Sequence, residues 1–74
     1  MPSAFVLVSC ETDSAELFEA EVKKLHVVKY ALRVSGVYEF LIKIDSESEE
    51  ELKKTVQGIR SNNWVRSSLT LMIV

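Results

Sequence analysis

Short apolar stretches and amphipathic helical stretches alternate along this chain, and their order limits its possible folds more than any other feature does. Residues 4–10 are rich in β-branched and aromatic side chains and are too short for a typical helix, which predicts a strand. Residues 11–25 place Phe18, Val22 and Leu25 at helical spacing. This spacing predicts an amphipathic helix of about three turns.

Two further strands follow, joined by a Ser-Gly turn. Over residues 28–35 the side chains alternate, so that the more apolar face holds Val28, Tyr30, Leu32 and Val34. Ser35 and Gly36 predict a tight hairpin, because glycine reaches positive φ without steric cost. The third strand is expected over residues 37–44, with one face formed by Tyr38, Phe40, Ile42 and Ile44.

A second helix is predicted over residues 45–60, with Leu52, Val56 and Ile59 as its buried stripe. Capping-box spacing marks both helix starts, at Asp13 with Glu16 and at Ser46 with Glu49.

Residues 65–74 predict a fourth strand that ends the chain. The order βαββαβ predicts an α+β fold, a ferredoxin-like sandwich formed by an antiparallel four-stranded sheet with both helices on one face. All of residues 1–74 are expected to form this single domain.

The small size of the chain predicts association. A domain of 74 residues buries only roughly 60 to 65% of its unfolded surface, so its own core is marginal. The single cysteine, Cys10, cannot form an intrachain disulfide, and the single histidine, His26, cannot build a Cys/His zinc site. Association is the remaining source of stability.

The bare face of the sheet indicates where a second copy would bind. On the third strand that face holds Val37, Glu39, Leu41 and Lys43, and the first and last strands add apolar side chains to it. A sheet with water on one side alternates cleanly between apolar and polar residues, and this sheet does not. We therefore expect a sheet-to-sheet dimer.

Composition and missing motifs exclude several functions. The net charge of −2 and the pI of about 5.3 argue against direct binding of nucleic acid. No apolar run reaches the ~20 residues of a membrane span, and the N-terminus lacks the basic region of a signal peptide, so we expect a cytoplasmic protein with no membrane partner. No nucleophile-base pair, Gly-rich phosphate loop or metal motif is present, which predicts a non-enzyme without cofactor or metal.

Two segments carry a family resemblance. Residues 27–44 (VVKYALRVSGVYEFLIKI) and residues 64–74 (WVRSSLTLMIV) together resemble the effector-binding (RAM) domain of the Lrp/AsnC, or feast/famine, transcription regulators, in its stand-alone form without a helix-turn-helix. The resemblance extends from Ala4 to Val74. It implies dimers that assemble further, small effectors such as amino acids bound between dimers near the hairpin, and co-assembly with full-length Lrp/AsnC regulators.

The resemblance also implies a binding site. Gly36 and Tyr38 match the Gly-x-Tyr-Asp hairpin motif, Glu39 stands where the family usually has Asp, and Ser68 and Thr70 stand at its Thr-x-Thr positions. Glu39 would hold the ammonium group of an amino acid, and backbone N–H groups with the two hydroxyls would hold its carboxylate. The expected ligand-binding residues are Gly36, Val37, Tyr38, Glu39, Ser68 and Thr70.

Other interpretations stay open. Glu39 can equally be a solvated strand residue or pair with Lys43 or Arg33, and the sensing module has two rivals. One is a purely structural homo-oligomeric module without a physiological ligand. The other is a small enzyme of the dimeric α+β barrel kind, in which His26 or Tyr38 would have to be catalytic.

Overall fold

The observed elements follow the predicted order. A computed structural model describes residues 2–73. Its elements are β1 (Ser3–Cys10), α1 (Ala15–Lys23), β2 (Val28–Arg33), β3 (Phe40–Asp45), α2 (Glu49–Arg60) and β4 (Val65–Ile73). The strands form one antiparallel sheet in the order β2-β3-β1-β4. The ferredoxin-like βαββαβ prediction is confirmed, while Val74 of the predicted last strand lies outside the described residues.

The core lies between the sheet and the two helices. Alternate residues of β1 and β3 face it, and they are Ala4, Val6, Val8, Cys10, Phe40, Ile42 and Ile44. Phe18 of α1 packs on Phe40 with ring centroids 5.3 Å apart. The stripe predicted for α2 is fully confirmed, since Leu52, Val56 and Ile59 are all buried. In α1 the prediction fails at Leu25, which is 41% exposed because the helix ends at Lys23.

The apolar residues of β2 do not share one environment. Val28 pairs with Ile44 on the helix side, but an irregularity shifts the register so that Tyr30 pairs with Lys43 on the opposite side. A shift of one residue exchanges the two faces of a strand. Tyr30 is therefore 40% exposed on the bare side, and Ala31 is the buried residue.

The prediction of a tight hairpin is wrong. Residues 34–39 form a longer connection, in which the N–H of Val34 donates to the carbonyl of Glu39 at 2.9 Å. Gly36 has φ 138°, a conformation that other residues rarely adopt. The third strand consequently begins at Phe40 instead of Val37.

The helix starts also differ from the predicted caps. Ser48 caps α2, and its hydroxyl accepts the N–H of Glu51 at 3.1 Å, two residues later than the box predicted at Ser46. The Ser46 hydroxyl donates to the Glu51 carboxylate at 2.6 Å. Asp13 lies in a short 3-10 turn, Thr12–Ser14, and the side chain of Ser14, the N-cap residue of α1, makes no capping hydrogen bond within the described residues.

Candidate functional site

Glu39 lies where the hairpin meets the end of β1. Its main-chain N–H donates to the carbonyl of Val8 at 2.8 Å. Its Oε1 accepts the N–H of Cys10 at 3.1 Å and the Ser9 hydroxyl at 3.5 Å, next to an irregularity in the β1–β4 register. Its other oxygen, Oε2, has no hydrogen-bond partner within residues 2–73. Oε1 thus attaches the hairpin to β1, and Oε2 can still accept a hydrogen bond or pair with a cation.

No ion pair engages Glu39 among the described residues. Arg33 instead lies 3.5 Å from Glu19, and Lys43 lies 3.7 Å from Asp45. The intrasubunit ion pairs considered from the sequence are therefore not formed.

The rest of the hairpin is open to solvent. Gly36 is exposed, Val37 is 83% exposed, and Tyr38 is half-buried. In the part of the chain that the structure describes, the N–H groups of Gly36 and Val37 donate no hydrogen bond. They supply two free donors close along the chain to Glu39. We call residues 36–39 the hairpin group.

Ser68 and Thr70 occupy a different place in the subunit. They pair with Val8 and Val6 on the side of β4 that faces the helices. There they border a groove of about 880 Å³ between α2 and β4, which we call the α2–β4 groove. Polar side chains in its lining include Lys53, Gln57, Arg60, Arg66, Ser68 and Thr70.

Strand β1 separates the two groups of candidate residues. Glu39 bonds to one edge of β1 at Val8, and Ser68 pairs with Val8 from the other edge. Two strand spacings place the backbones of Glu39 and Ser68 roughly 10 Å apart. The structure thus brings Gly36, Val37, Tyr38 and Glu39 together, and Ser68 with Thr70, but it does not join the two groups within one subunit.

One hydroxyl of the groove wall is unsatisfied. Thr70 Oγ1 is buried and has no hydrogen-bond partner within residues 2–73. Leaving a buried hydroxyl unpaired costs about 1 to 3 kcal/mol. Such groups are uncommon in native structures, and this one lies at a position that the sequence had marked for ligand binding.

The side of the sheet away from the helices is apolar, and we call it the open sheet face. Its large apolar side chains are Phe5, Leu7, Tyr30, Leu32, Leu41, Leu69, Leu71 and Ile73. Leu7 pairs with Leu41 on one side and with Leu69 on the other, so the row is continuous across three strands. Leu71, at 50% exposure, is open in the single subunit.

Cys10 and His26 are the remaining side chains that the sequence analysis considered for chemistry. Burial, and then the nearby Glu39 carboxylate, raise the pKa of the Cys10 thiol, so it is a poor nucleophile. His26 Nε2 lies 3.3 Å from Glu51. Across residues 2–73, no three His, Cys, Asp or Glu side chains come together as metal ligands. No helix in the same range is long and apolar enough to cross a membrane.

Comparison with known proteins identifies the family. The model of the Lrp/AsnC ligand binding domain matches residues 3–74. The chain belongs to this family. Homocitrate synthase from Saccharolobus islandicus is 31% identical over 71 residues, which cover 92% of this Lrp/AsnC domain but only 15% of the synthase.

Two solved structures share the fold of this Lrp/AsnC domain. TTHA0845 from Thermus thermophilus is 28% identical with a TM-score of 0.89, and the match covers 100% of this chain and 94% of that one. The transcriptional regulator NMB0573 from Neisseria meningitidis, solved as a complex with L-Met, is 21% identical with a TM-score of 0.85. That match covers 99% of this chain and 49% of the regulator.

The sequence did not single out the basic residues of the Lrp/AsnC domain's α2–β4 groove. Lys53, Gln57 and Arg60 lie at i, i+4 and i+7 and form a polar stripe beside the buried stripe of α2. Arg66 precedes the Ser68 motif by two residues. The helical spacing was a usable signal, but without the register of β4 nothing indicated which strand the stripe faces.

Proposed function

We propose that this domain is a non-catalytic sensor of a small molecule, an amino acid, which acts in the cytoplasm by changing its own assembly. The observation that carries the proposal is the hairpin group, in which Glu39 keeps Oε2 available and follows the free N–H groups of Gly36 and Val37 closely along the chain. An ammonium group needs an anion and a carboxylate needs donors, and the hairpin group offers both. The L-Met complex of NMB0573 supports this ligand class.

The effector is proposed to bind between subunits. An α-amino acid carries both charged groups on one carbon, whereas β1 separates Glu39 from Ser68 and Thr70 within one chain. Residues 36–39 of one subunit and the two β4 hydroxyls of another would then complete one site. Binding at such a seam favours the assembly that forms the better pocket, which couples ligand to oligomeric state.

The larger assembly is proposed to be built from dimers, and each dimer is proposed to form through the open sheet face. Leu69, Leu71 and Ile73 each expose about half of their surface there, and a second copy would cover them. Two sheets packed face to face interdigitate such side chains in a shared core. The marginal core of a 74-residue chain gains the additional burial that it needs.

The output is proposed to be transcription regulation through assembly with itself or with full-length Lrp/AsnC regulators, without direct contact to nucleic acid. The net charge of −2 supports an indirect role. Homocitrate synthase contains a similar segment within a longer chain, which supports a role for such a segment beside other domains.

A melting experiment with a matched control tests the proposal. The protein is melted against the twenty amino acids, and its mass in solution is measured by light scattering with and without each one. A ligand at ~100 times its dissociation constant adds about 2.7 kcal/mol, which raises a small domain's midpoint by roughly ten degrees or more. We expect a shift that Glu39→Gln abolishes and that Glu47→Gln, an exposed acid outside the hairpin group, preserves.

A structural homo-oligomer without a ligand is the second candidate. The observation that favours it is the bond from the Cys10 N–H to Glu39, which gives the carboxylate a structural task of its own. In that case no amino acid would shift the midpoint, and the oligomer would persist in Glu39→Gln.

A further inference from the structure

The α2–β4 groove is basic in a chain that is acidic as a whole. Among residues 2–73 the cationic side chains that line it are Lys53, Arg60 and Arg66, and no Asp or Glu does so. Within residues 2–73 none of the three forms an ion pair, whereas Lys23, Arg33, Lys43 and Lys54 all do. Unpaired cations that converge on one concavity create an attractive field for an anion.

The cations stand at opposite ends of the groove. Lys53 and Arg60 lie seven residues apart on α2, which is about 10 Å along the axis on nearly the same face. Arg60 ends α2 and Arg66 stands near the start of β4, so the two guanidinium groups belong to the end at the α2–β4 connection. Lys53 belongs to the other end.

Between these ends the lining is mixed. Val56 supplies apolar surface and Gln57 and Ser68 supply polar groups, while the apolar Val65 and Met72 lie toward the two ends of the lining. Thr70, whose Oγ1 has no partner in the described chain, also lies in this middle section. A ligand with two anionic ends joined by an apolar chain would match cations at both ends of the groove and a mixed lining between them. A compact ion such as phosphate would match this lining less well.

We propose that the α2–β4 groove binds a linear dicarboxylate, with one carboxylate held by Arg60 and Arg66 and the other by Lys53. The proposal rests on the proposed function in that ligand binding at Ser68 and Thr70 would use the same groove, but it does not involve Glu39. Guanidinium groups hold carboxylates with paired, directional bonds, whereas the lysine ammonium acts as a point charge on a flexible stem. The arrangement therefore fixes one end of the ligand and adapts to its length at the other.

The test uses the full 74-residue chain labelled with ¹⁵N and titrated with glutarate, adipate and the monocarboxylates of equal length, valerate and hexanoate. We expect each dicarboxylate to bind at least tenfold more tightly than its monocarboxylate, since a charge-assisted bond contributes about that factor. Amide shifts are expected in α2 and β4 and not in residues 36–39. Added salt should weaken the binding.

Variants identify the residues responsible. Arg60→Gln and Arg66→Gln should each weaken adipate binding about tenfold, because each removes one charged donor. Lys54→Gln is the matched control on the same helix, since Lys54 borders a different cavity and pairs with Glu50 at 3.4 Å. It should leave the affinity unchanged.

The outcomes separate this proposal from the sensing of amino acids. Equal affinity for dicarboxylate and monocarboxylate, or a response of Arg60→Gln and Arg66→Gln equal to that of Lys54→Gln, overturns it. An amino acid that shifts only the hairpin group, with no dicarboxylate binding, overturns it and leaves the proposed function intact. Dicarboxylate binding without any response to amino acids supports it and overturns the amino-acid effector.

Discussion

The carboxylate of Glu39 accepts the main-chain N–H of Cys10 at 3.1 Å and so joins the β2–β3 hairpin to the end of β1. Cys10 lies two residues beyond Val8, whose pairing with Phe40 is the last of the β1–β3 ladder, so its N–H needs a partner outside that ladder. Glu39 provides that partner and keeps its second oxygen available. One residue thus combines a structural bond with the charge that the proposed sensor requires.

Two substitutions at Glu39 should separate these roles. Glu39→Gln keeps a carbonyl oxygen that can accept the N–H of Cys10, so the free energy of unfolding of the unliganded protein should change by less than about 1 kcal/mol. Glu39→Ala leaves the Cys10 N–H without its acceptor and should lower the free energy of unfolding by about 1 to 3 kcal/mol. Urea unfolding measures both values, and equal losses in the two variants would show that the charge, not the bond, stabilises the hairpin.

The element order and the phases of β3 and α2 could be predicted, because each of these two elements has one dominant apolar face. The phase of β2 could not, since apolar residues occur on both faces of this sheet and the shift between Val28 and Tyr30 leaves no signal in the alternation. The hairpin length was missed because Ser35 and Gly36 fit a short turn as well as a long one. The family resemblance named individual residues of the candidate site but not their arrangement. Only the sheet order shows that β1 lies between Glu39 and Ser68.

Thr70→Val should stabilise the protein. Valine has nearly the same shape and favours strands, and the change removes the buried hydroxyl that has no partner within residues 2–73. We expect the free energy of unfolding to rise by about 1 kcal/mol, whereas Thr70→Ser, which keeps the hydroxyl, should not raise it. If Thr70→Val is less stable than the parent chain in urea, a partner for Oγ1 exists in the assembled protein.

A charge on the open sheet face should break the proposed dimer. Leu71 is 50% exposed in the single subunit, so Leu71→Glu should leave the fold intact but place a charge in a sheet-to-sheet interface. Light scattering should then report a lower mass, and the midpoint of melting should no longer depend on protein concentration. Leu17→Glu is the control, because Leu17 is 57% exposed on α1 and not on the sheet. A mass equal to that of the parent chain in Leu71→Glu would exclude this face as the interface.

Acid should weaken the fold through Glu19, which links α1 to β2. A hydrogen bond from Lys23, followed by the charges of Lys23 and Arg33, lowers the pKa of Glu19 from its usual 4.5. The N–O distances are 3.1 Å to Lys23 and 3.5 Å to Arg33. The pKa of Glu19 is lower in the folded state than in the unfolded state. Its contribution to the free energy of unfolding is therefore complete at a pH above the unfolded pKa, and it is lost as the pH falls through the folded pKa.

The parent chain should therefore lose more stability than Glu19→Gln does when the pH is lowered from about 6 to about 3. The ions are solvent-exposed, so the difference should be small and should shrink further in high salt. Glu16→Gln is the matched control, since Glu16 lies on the same helix and forms no ion pair within residues 2–73. Urea midpoints across this pH range measure the effect. Parallel pH profiles for the parent chain and Glu19→Gln would contradict the link between α1 and β2.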